Sequence, residues 1–124
     1  MTNAIDAGAE FLRHLHAYRP VKAACWLREG EDEERYLYVA LDGLAEDNTD
    51  AAYMEVLRIT QRMKDHYLDP FRVKLIRTSD PIAQAVMDLH RRFPGRIPPP
   101  VYSRVFAGTA VAEVYVYPDL HAKP

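Results

Sequence analysis

The stretch FRVKLIRTSDPIAQAVMDLHRRF, residues 71–93, decides the fold class because it contains a strand, a helix cap and a helix in direct succession. Its first residues alternate between apolar and basic, in the order Phe71, Arg72, Val73, Lys74 and Leu75. A period of two is typical of a strand with one buried face. The pattern therefore predicts a strand that ends at Arg77.

The second half of the same stretch predicts a helix. Asp80 followed by Pro81 has the pattern of an N-cap and a first helical residue, where a missing N–H has no cost. One helical stripe carries the apolar residues Ile82, Val86, Leu89 and Phe93. We expect Leu89 to be buried against a sheet. A strand that leads into a one-sided helix is half of a β-α-β unit, so a parallel strand is expected after this helix.

The remaining elements follow from the same two periodicities and from the positions of Gly, Pro and Asp. They are a helix over residues 3–18, a β-hairpin over residues 21–41 with the acidic tip GEDEE, a helix over residues 51–68, and strands over residues 101–106 and 110–117. The order α-β-β-α-β-α-β-β predicts one α+β domain over residues 1–124. We expect a two-layer sandwich, with helices packed mainly on one face of a mixed sheet.

Composition excludes several classes of protein. The chain has 124 residues, of which 48% are hydrophobic and 27% charged, values that are ordinary for a globular domain. No run of 18 apolar residues and no signal-peptide pattern occurs, so we expect a cytoplasmic protein rather than a secreted or membrane-spanning one. The single cysteine, Cys25, lies in an apolar strand and is expected to be a buried, inert thiol.

Motifs for catalysis or metal binding are missing from the sequence. His14 and His16 are two residues apart on a helix and cannot face one ion, and neither an HExxH nor a Cys/His spacing occurs. No serine lies in a GxSxG context. The sequence therefore predicts no catalytic residue, no metal site and no cofactor, and favours a non-enzymatic protein.

One candidate surface is aromatic. If alternate residues of the hairpin share a face, Trp26, Tyr36 and Tyr38 lie together, with Lys22 and Arg28 at the rim. Trp and Tyr often anchor protein interfaces, so this face is a hypothetical site for a protein partner or for homodimerisation. The alternative is that a helix, with the first as the candidate, covers the face and makes it part of the core.

A second candidate surface is basic. Residues 58–104 contain 10 Lys or Arg against 4 Asp or Glu, and the basic residues that could follow a phosphate backbone are Arg72, Lys74, Arg91, Arg92 and Arg96. Binding of nucleic acid or of a small phosphate ligand is the alternative function. Asp80 weakens the phosphate version, because a carboxylate at the helix cap repels an anion.

The chain also resembles a known family. The segments PVKAACWL, a charged turn and RYLYVALD, preceded by a helix, are similar to the C-terminal domain of the enhanced serine sensitivity protein family over roughly residues 9–90. The resemblance implies an α+β domain of the bacterial cytoplasm, without an assigned catalytic residue, that serves in interaction or regulation. The expected function is therefore a protein-interaction or accessory domain.

Overall fold

The computed structural model describes residues 2–30, 34–65, 67–93 and 105–120. Its elements are α1 (Thr2–Tyr18), β1 (Val21–Glu29), β2 (Tyr36–Leu41), α2 (Thr49–Met63), a 3₁₀ turn (Pro70–Arg72), β3 (Val73–Ile76), α3 (Pro81–Arg92), β4 (Val105–Phe106) and β5 (Thr109–Val116). The predicted α+β class and the predicted order of elements are confirmed. Residues 101–104 of one predicted strand lie outside the described residues.

The strands form a mixed open sheet in the order β3-β2-β1-β5-β4. β1 pairs antiparallel with both β2 and β5, and β3 pairs parallel with β2. The parallel crossover is therefore β2-α2-β3. The parallel strand expected after α3 is not seen among the described residues, where the next strand, β4, pairs antiparallel with β5.

Helices cover both faces of the sheet. α1 and α2 share one face, where their apolar residues join one core cluster that includes Leu37, Val39 and Leu75. α3 lies on the other face, where Ala83 and Val86 pack against Cys25 and its neighbours. Two of the three described helices thus share a face, as predicted, and the third adds a layer behind β1 and β2.

α3 begins as the sequence predicts and packs slightly differently. The Asp80 carboxylate accepts a hydrogen bond of 2.9 Å from the Ile82 N–H, and Pro81 is the first helical residue. Ala83 and Val86 are buried, whereas Leu89 is only partly buried at the margin of the same cluster. The packed stripe of α3 therefore lies nearer its N-terminus than expected.

Two predicted boundaries, the end of α2 and the start of β3, are wrong for the same physical reason. α2 ends at Met63 instead of residue 68, because Lys64 takes a left-handed conformation (φ 52°) and its N–H closes the last turn on the Thr60 carbonyl. Asp65 then accepts the N–H of Tyr67. After α2, and again before β3, an Asp side chain accepts the N–H of the residue two positions later, and this local bond competes successfully with the apolar periodicity.

The strand predicted to begin at Phe71 begins two residues later, at Val73. Asp69 is the N-cap of the 3₁₀ turn, and its carboxylate accepts the Phe71 N–H at 2.9 Å. Phe71 is consequently not on the buried face of the strand, and 83% of it is exposed. None of the described helices is both long and apolar enough to cross a membrane.

Candidate functional site

The register of the hairpin separates the three aromatic residues that were expected together. Trp26 lies opposite Leu37, whereas Tyr38 lies opposite Cys25 and Tyr36 opposite Leu27. Directly opposed residues of neighbouring strands project from the same face. Trp26 therefore points toward α1, and the two tyrosines project from the face that carries α3. The predicted shared aromatic face is wrong.

Trp26 belongs to the core. It is 5% exposed, and its Nε1–H donates a hydrogen bond of 2.8 Å to the Tyr117 hydroxyl, which donates in turn to the Ile5 carbonyl of α1 at 2.8 Å. Tyr115 meets the Tyr117 ring edge-on, with 5.1 Å between centroids. The alternative that the first helix covers this tryptophan is confirmed, and Trp26 is not available as a surface anchor.

The close approach of α1 to this pair depends on Gly8. A Cβ at position 8 would overlap the Tyr117 hydroxyl and lie 3.1 Å from the Nε1 of Trp26. The helix can therefore rest on the two rings only because no side chain stands between them. Burial is the main reason that the pKa of the Tyr117 hydroxyl is raised well above its ordinary value.

The two residues predicted at the rim lie apart. Lys22 is at the start of β1, where the pairing with β2 shifts between Val21 and Ala23. Arg28 is near the other end of β1 and pairs with Glu113 of β5, with 3.2 Å between Nη2 and Oε1. Glu113 also contacts Arg35, at 3.4 Å. Arg28 thus ties β1 to β5 and does not border the tyrosines.

The structure instead brings together residues from the two predicted surfaces. They are the two tyrosines of the aromatic prediction and Arg72 and Lys74 of the basic one. Lys74 of β3 lies opposite Tyr38 of β2, and its Nζ is 4.2 Å from the centroid of the Tyr36 ring and 5.5 Å from that of Tyr38. The Arg72 guanidinium carbon is 5.6 Å from the Tyr36 centroid. These are cation–π distances. We call Tyr36, Phe71, Arg72 and Lys74 the aromatic-basic strip.

Phe71 is the most exposed large apolar residue among the described ones. Its backbone is held on both sides, because Asp69 accepts its N–H and the 3₁₀ turn closes with the Val73 N–H on the Pro70 carbonyl. The turn therefore presents the ring to solvent from a fixed backbone. Sequence periodicity missed this residue, although Asp69-Pro70 repeats the capping signal of Asp80-Pro81.

The charges of the strip are unequally compensated. Arg72 forms an ion pair with Glu34, at the base of the hairpin loop, and a longer contact of 3.9 Å with Asp69. The hydrogen bond from Arg72 to Glu34 raises the pKa of that guanidinium. Lys74 is exposed, and its ammonium group lies beside the Tyr36 ring and also interacts with the side chain of Tyr38. Burial raises the pKa of Tyr38, and the neighbouring Lys74 opposes that shift.

The outer edge of β3 is closed to strand addition at two of its backbone N–H groups. The Val73 N–H donates to the Pro70 carbonyl, and the Leu75 N–H donates to the Tyr53 hydroxyl of α2 at 3.0 Å. A peptide could not pair with these two amides unless it displaced these acceptors. A partner of this region would therefore contact side chains of the strip.

The remaining residues of the basic prediction do not join the strip. Arg91 and Arg92 lie in the last turn of α3, where both pair with Asp88 at 3.4 and 3.2 Å. Arg96 lies outside the described residues. The capping bond of Asp80 occupies an N–H group that an anion at the start of α3 would need.

Cys25, His16 and His90 serve the packing and hydrogen bonding of the fold. Cys25 is fully buried, and desolvation, followed by the nearby Asp80, raises its pKa to about 12. His16 accepts the Val21 N–H through Nδ1, and His90 Nε2 lies 3.0 Å from the Tyr117 carbonyl oxygen. No group of three metal-ligating side chains occurs in the part of the chain that the structure describes.

An open cavity of about 200 Å³ lies between α1 and the segment after α2, lined by Asp6, Ala7, Glu10, Asp65 and Tyr67. The described carboxylates that line it are not grouped so that they could hold a metal ion. Comparison with protein-family models, curated proteins and solved structures finds no match to this chain. The resemblance to the enhanced serine sensitivity family therefore stays a prediction.

Proposed function

We propose that this chain is a non-enzymatic protein-interaction domain with an accessory or regulatory role, and that the aromatic-basic strip is its contact surface. The observation that carries the proposal is Phe71, which is 83% exposed although it stands on a hydrogen-bonded turn. An apolar ring that is already fixed loses little backbone entropy when a partner covers it. Arg72 and Lys74 beside it supply a polar border.

The composition of the strip supports this function. Aromatic residues and arginine are enriched at energetically important positions of protein interfaces, usually surrounded by polar contacts that exclude water. Tyr36 is partly buried and carries two cations near its ring, so its orientation is already restricted. The partner is a second protein or a second copy of this chain. As part of the same proposal, the domain acts in the bacterial cytoplasm. That reducing compartment is compatible with a single cysteine that is buried and forms no disulfide.

The test is a comparative pull-down from extract of the source organism with mass spectrometry. Wild-type protein is compared with Phe71→Ala and Lys74→Glu, and with the matched controls Met54→Ala and Arg58→Glu, which change exposed residues of α2. A partner retained by the controls and lost by both strip variants supports the proposal. Equal recovery by all five proteins contradicts it. Light scattering of the purified proteins tests the homodimer in the same set of variants.

Binding of nucleic acid through the strip is the second candidate, and the proximity of Arg72, Lys74 and Tyr36 favours it. Bases stack on aromatic rings while cations contact the backbone. Phosphate would have to displace Glu34 from Arg72 and Asp88 from Arg91, as a partner carboxylate would. Titration with labelled poly(dT) and poly(U) at low salt decides this candidate, since such binding must weaken steeply as salt rises.

A further inference from the structure

The contact between Arg72 and Glu34 has a functional meaning if the strip binds a partner. Arg72 is the last residue of the 3₁₀ turn before β3 and Glu34 lies at the base of the hairpin loop, so two separate segments meet there. About half of the Glu34 side chain is exposed. An exposed ion pair contributes little to stability. Its removal therefore has a small cost for the fold.

We propose that the strip binds a carboxylate-rich segment of a partner protein, and that Glu34 occupies the position of one partner carboxylate on Arg72 in the free domain. This inference rests on the proposed function and adds the chemistry of the partner to it. Glu34 acts as an internal competitor: the partner replaces it on the guanidinium.

Charge complementarity carries the choice of partner. Lys74 is exposed beside the rings of Tyr36 and Tyr38, and it has no ion-pair partner among the residues that the structure describes. A cation over an aromatic ring can still bind a carboxylate on its open side. Arg72 pairs with Glu34 and lies 3.9 Å from Asp69, so its guanidinium can bind a partner carboxylate only in place of Glu34. Opposite charge across an interface selects the partner and speeds its association.

Phe71 adds the apolar half of the recognition. Its ring is exposed on the same 3₁₀ turn as Arg72, so a partner segment bound at Arg72 lies close to Phe71 in the chain. A segment of alternating acidic and apolar residues matches both features, because its side chains can bind Lys74 and cover Phe71 together. Strand pairing is not required, since Tyr53 and Pro70 already accept the N–H groups of Leu75 and Val73.

The experiment is an NMR titration of ¹⁵N-labelled protein with a synthetic peptide of alternating glutamate and leucine. A lysine-leucine peptide and the oligonucleotide dT₁₂ are the comparison ligands. We expect the glutamate peptide to shift the amides of Phe71 and Lys74 and the side-chain Nε–H of Arg72. Binding should weaken about tenfold in Lys74→Glu, because a repulsive contact replaces an attractive one.

The decisive variant is Glu34→Gln. It removes the internal competitor and should tighten binding of the glutamate peptide several-fold, with an unchanged spectrum elsewhere in the protein. Arg58→Glu, on α2, is the matched control and should leave the affinity unchanged. Equal or weaker binding by Glu34→Gln overturns the competitor role, and preferential binding of dT₁₂ or of the lysine peptide overturns the acidic partner. If the pull-down partner still depends on Phe71 while the glutamate peptide does not bind, the interaction function stands and its proposed chemistry is wrong.

Discussion

Trp26 and Tyr36 lie on neighbouring strands and have similar aromatic side chains, yet their surroundings are opposite. Trp26 is buried under α1, and its N–H is bonded to Tyr117. Tyr36 is partly exposed on the other face, with Lys74 4.2 Å from its ring centroid. The first aromatic residue serves the core and the second is available to a partner. Strand register, rather than residue type, decides which role an aromatic residue has.

The largest expected effect is on the Trp26 side. Trp26→Ala should lower the free energy of unfolding by about 3–5 kcal/mol, because it leaves a large cavity and removes a bond to Tyr117. Urea denaturation measures the loss. The wild-type protein should show blue-shifted tryptophan fluorescence that iodide quenches poorly. Emission near that of free tryptophan, with efficient quenching, would place Trp26 at the surface and reverse the comparison.

A smaller effect is expected when only the hydrogen bonds are removed. Tyr117→Phe keeps the ring but leaves the buried Trp26 N–H without its acceptor, at an expected cost of about 1–3 kcal/mol. Denaturation with urea gives the value, and Tyr18→Phe, which changes an exposed tyrosine, is the control. A cost equal to that of the control would show that water satisfies the indole in the folded protein.

Gly8→Ala tests how closely α1 rests on the same pair. Overlap of the new Cβ with the Tyr117 hydroxyl opposes the gain in helix propensity, and we expect a net loss of about 1–2 kcal/mol. The same change in a Tyr117→Phe background should be much less harmful, because the overlapping hydroxyl is gone. A double-mutant cycle measures this coupling. Strict additivity would contradict the described contact.

The sequence predicted the class, the order of elements and the Asp80 cap, because each depends on local patterns. It could not predict the register of the hairpin, because β1 is buried along most of its length and both of its faces are apolar. Alternation then no longer distinguishes the two faces. For this reason the sequence pattern places Trp26 with the wrong neighbours. The shift between Val21 and Ala23 lies outside this pairing and changes only the face on which Val21 lies.

For a related reason, the sequence indicates three of the four residues of the aromatic-basic strip but not that they lie together. Tyr36, Arg72 and Lys74 were each candidates, but in separate hypotheses, since pairing of β3 beside β2 is a non-local contact. Phe71 was expected in the buried face of a strand. The Asp69 cap rotates the chain before β3 begins and exposes the ring. The Asp69-Pro70 turn signal therefore determines the structure of Phe71 and Arg72, although their apolar-polar alternation is typical of a strand.

At the β3 edge of the sheet, Tyr53→Phe should lower the free energy of unfolding modestly. It removes the acceptor of the Leu75 N–H, a net loss of about 0.5–1.5 kcal/mol. The freed edge amide should also exchange faster with solvent deuterium than in the wild type. Unchanged exchange at Leu75, measured by NMR, would show that the hydroxyl does not protect the edge.

The smallest effect on stability is expected at Phe71, and it completes the contrast with Trp26. Phe71→Ala removes a ring that is 83% exposed, so the free energy of unfolding should change by less than about 0.5 kcal/mol. Urea denaturation of Phe71→Ala beside Met54→Ala measures this difference under matched conditions. A loss above about 2 kcal/mol would show that the ring is packed, because exposed rings do not leave cavities. Near-neutral stability combined with loss of the partner would instead assign the role of this exposed ring to binding, since the fold gains nothing measurable from it.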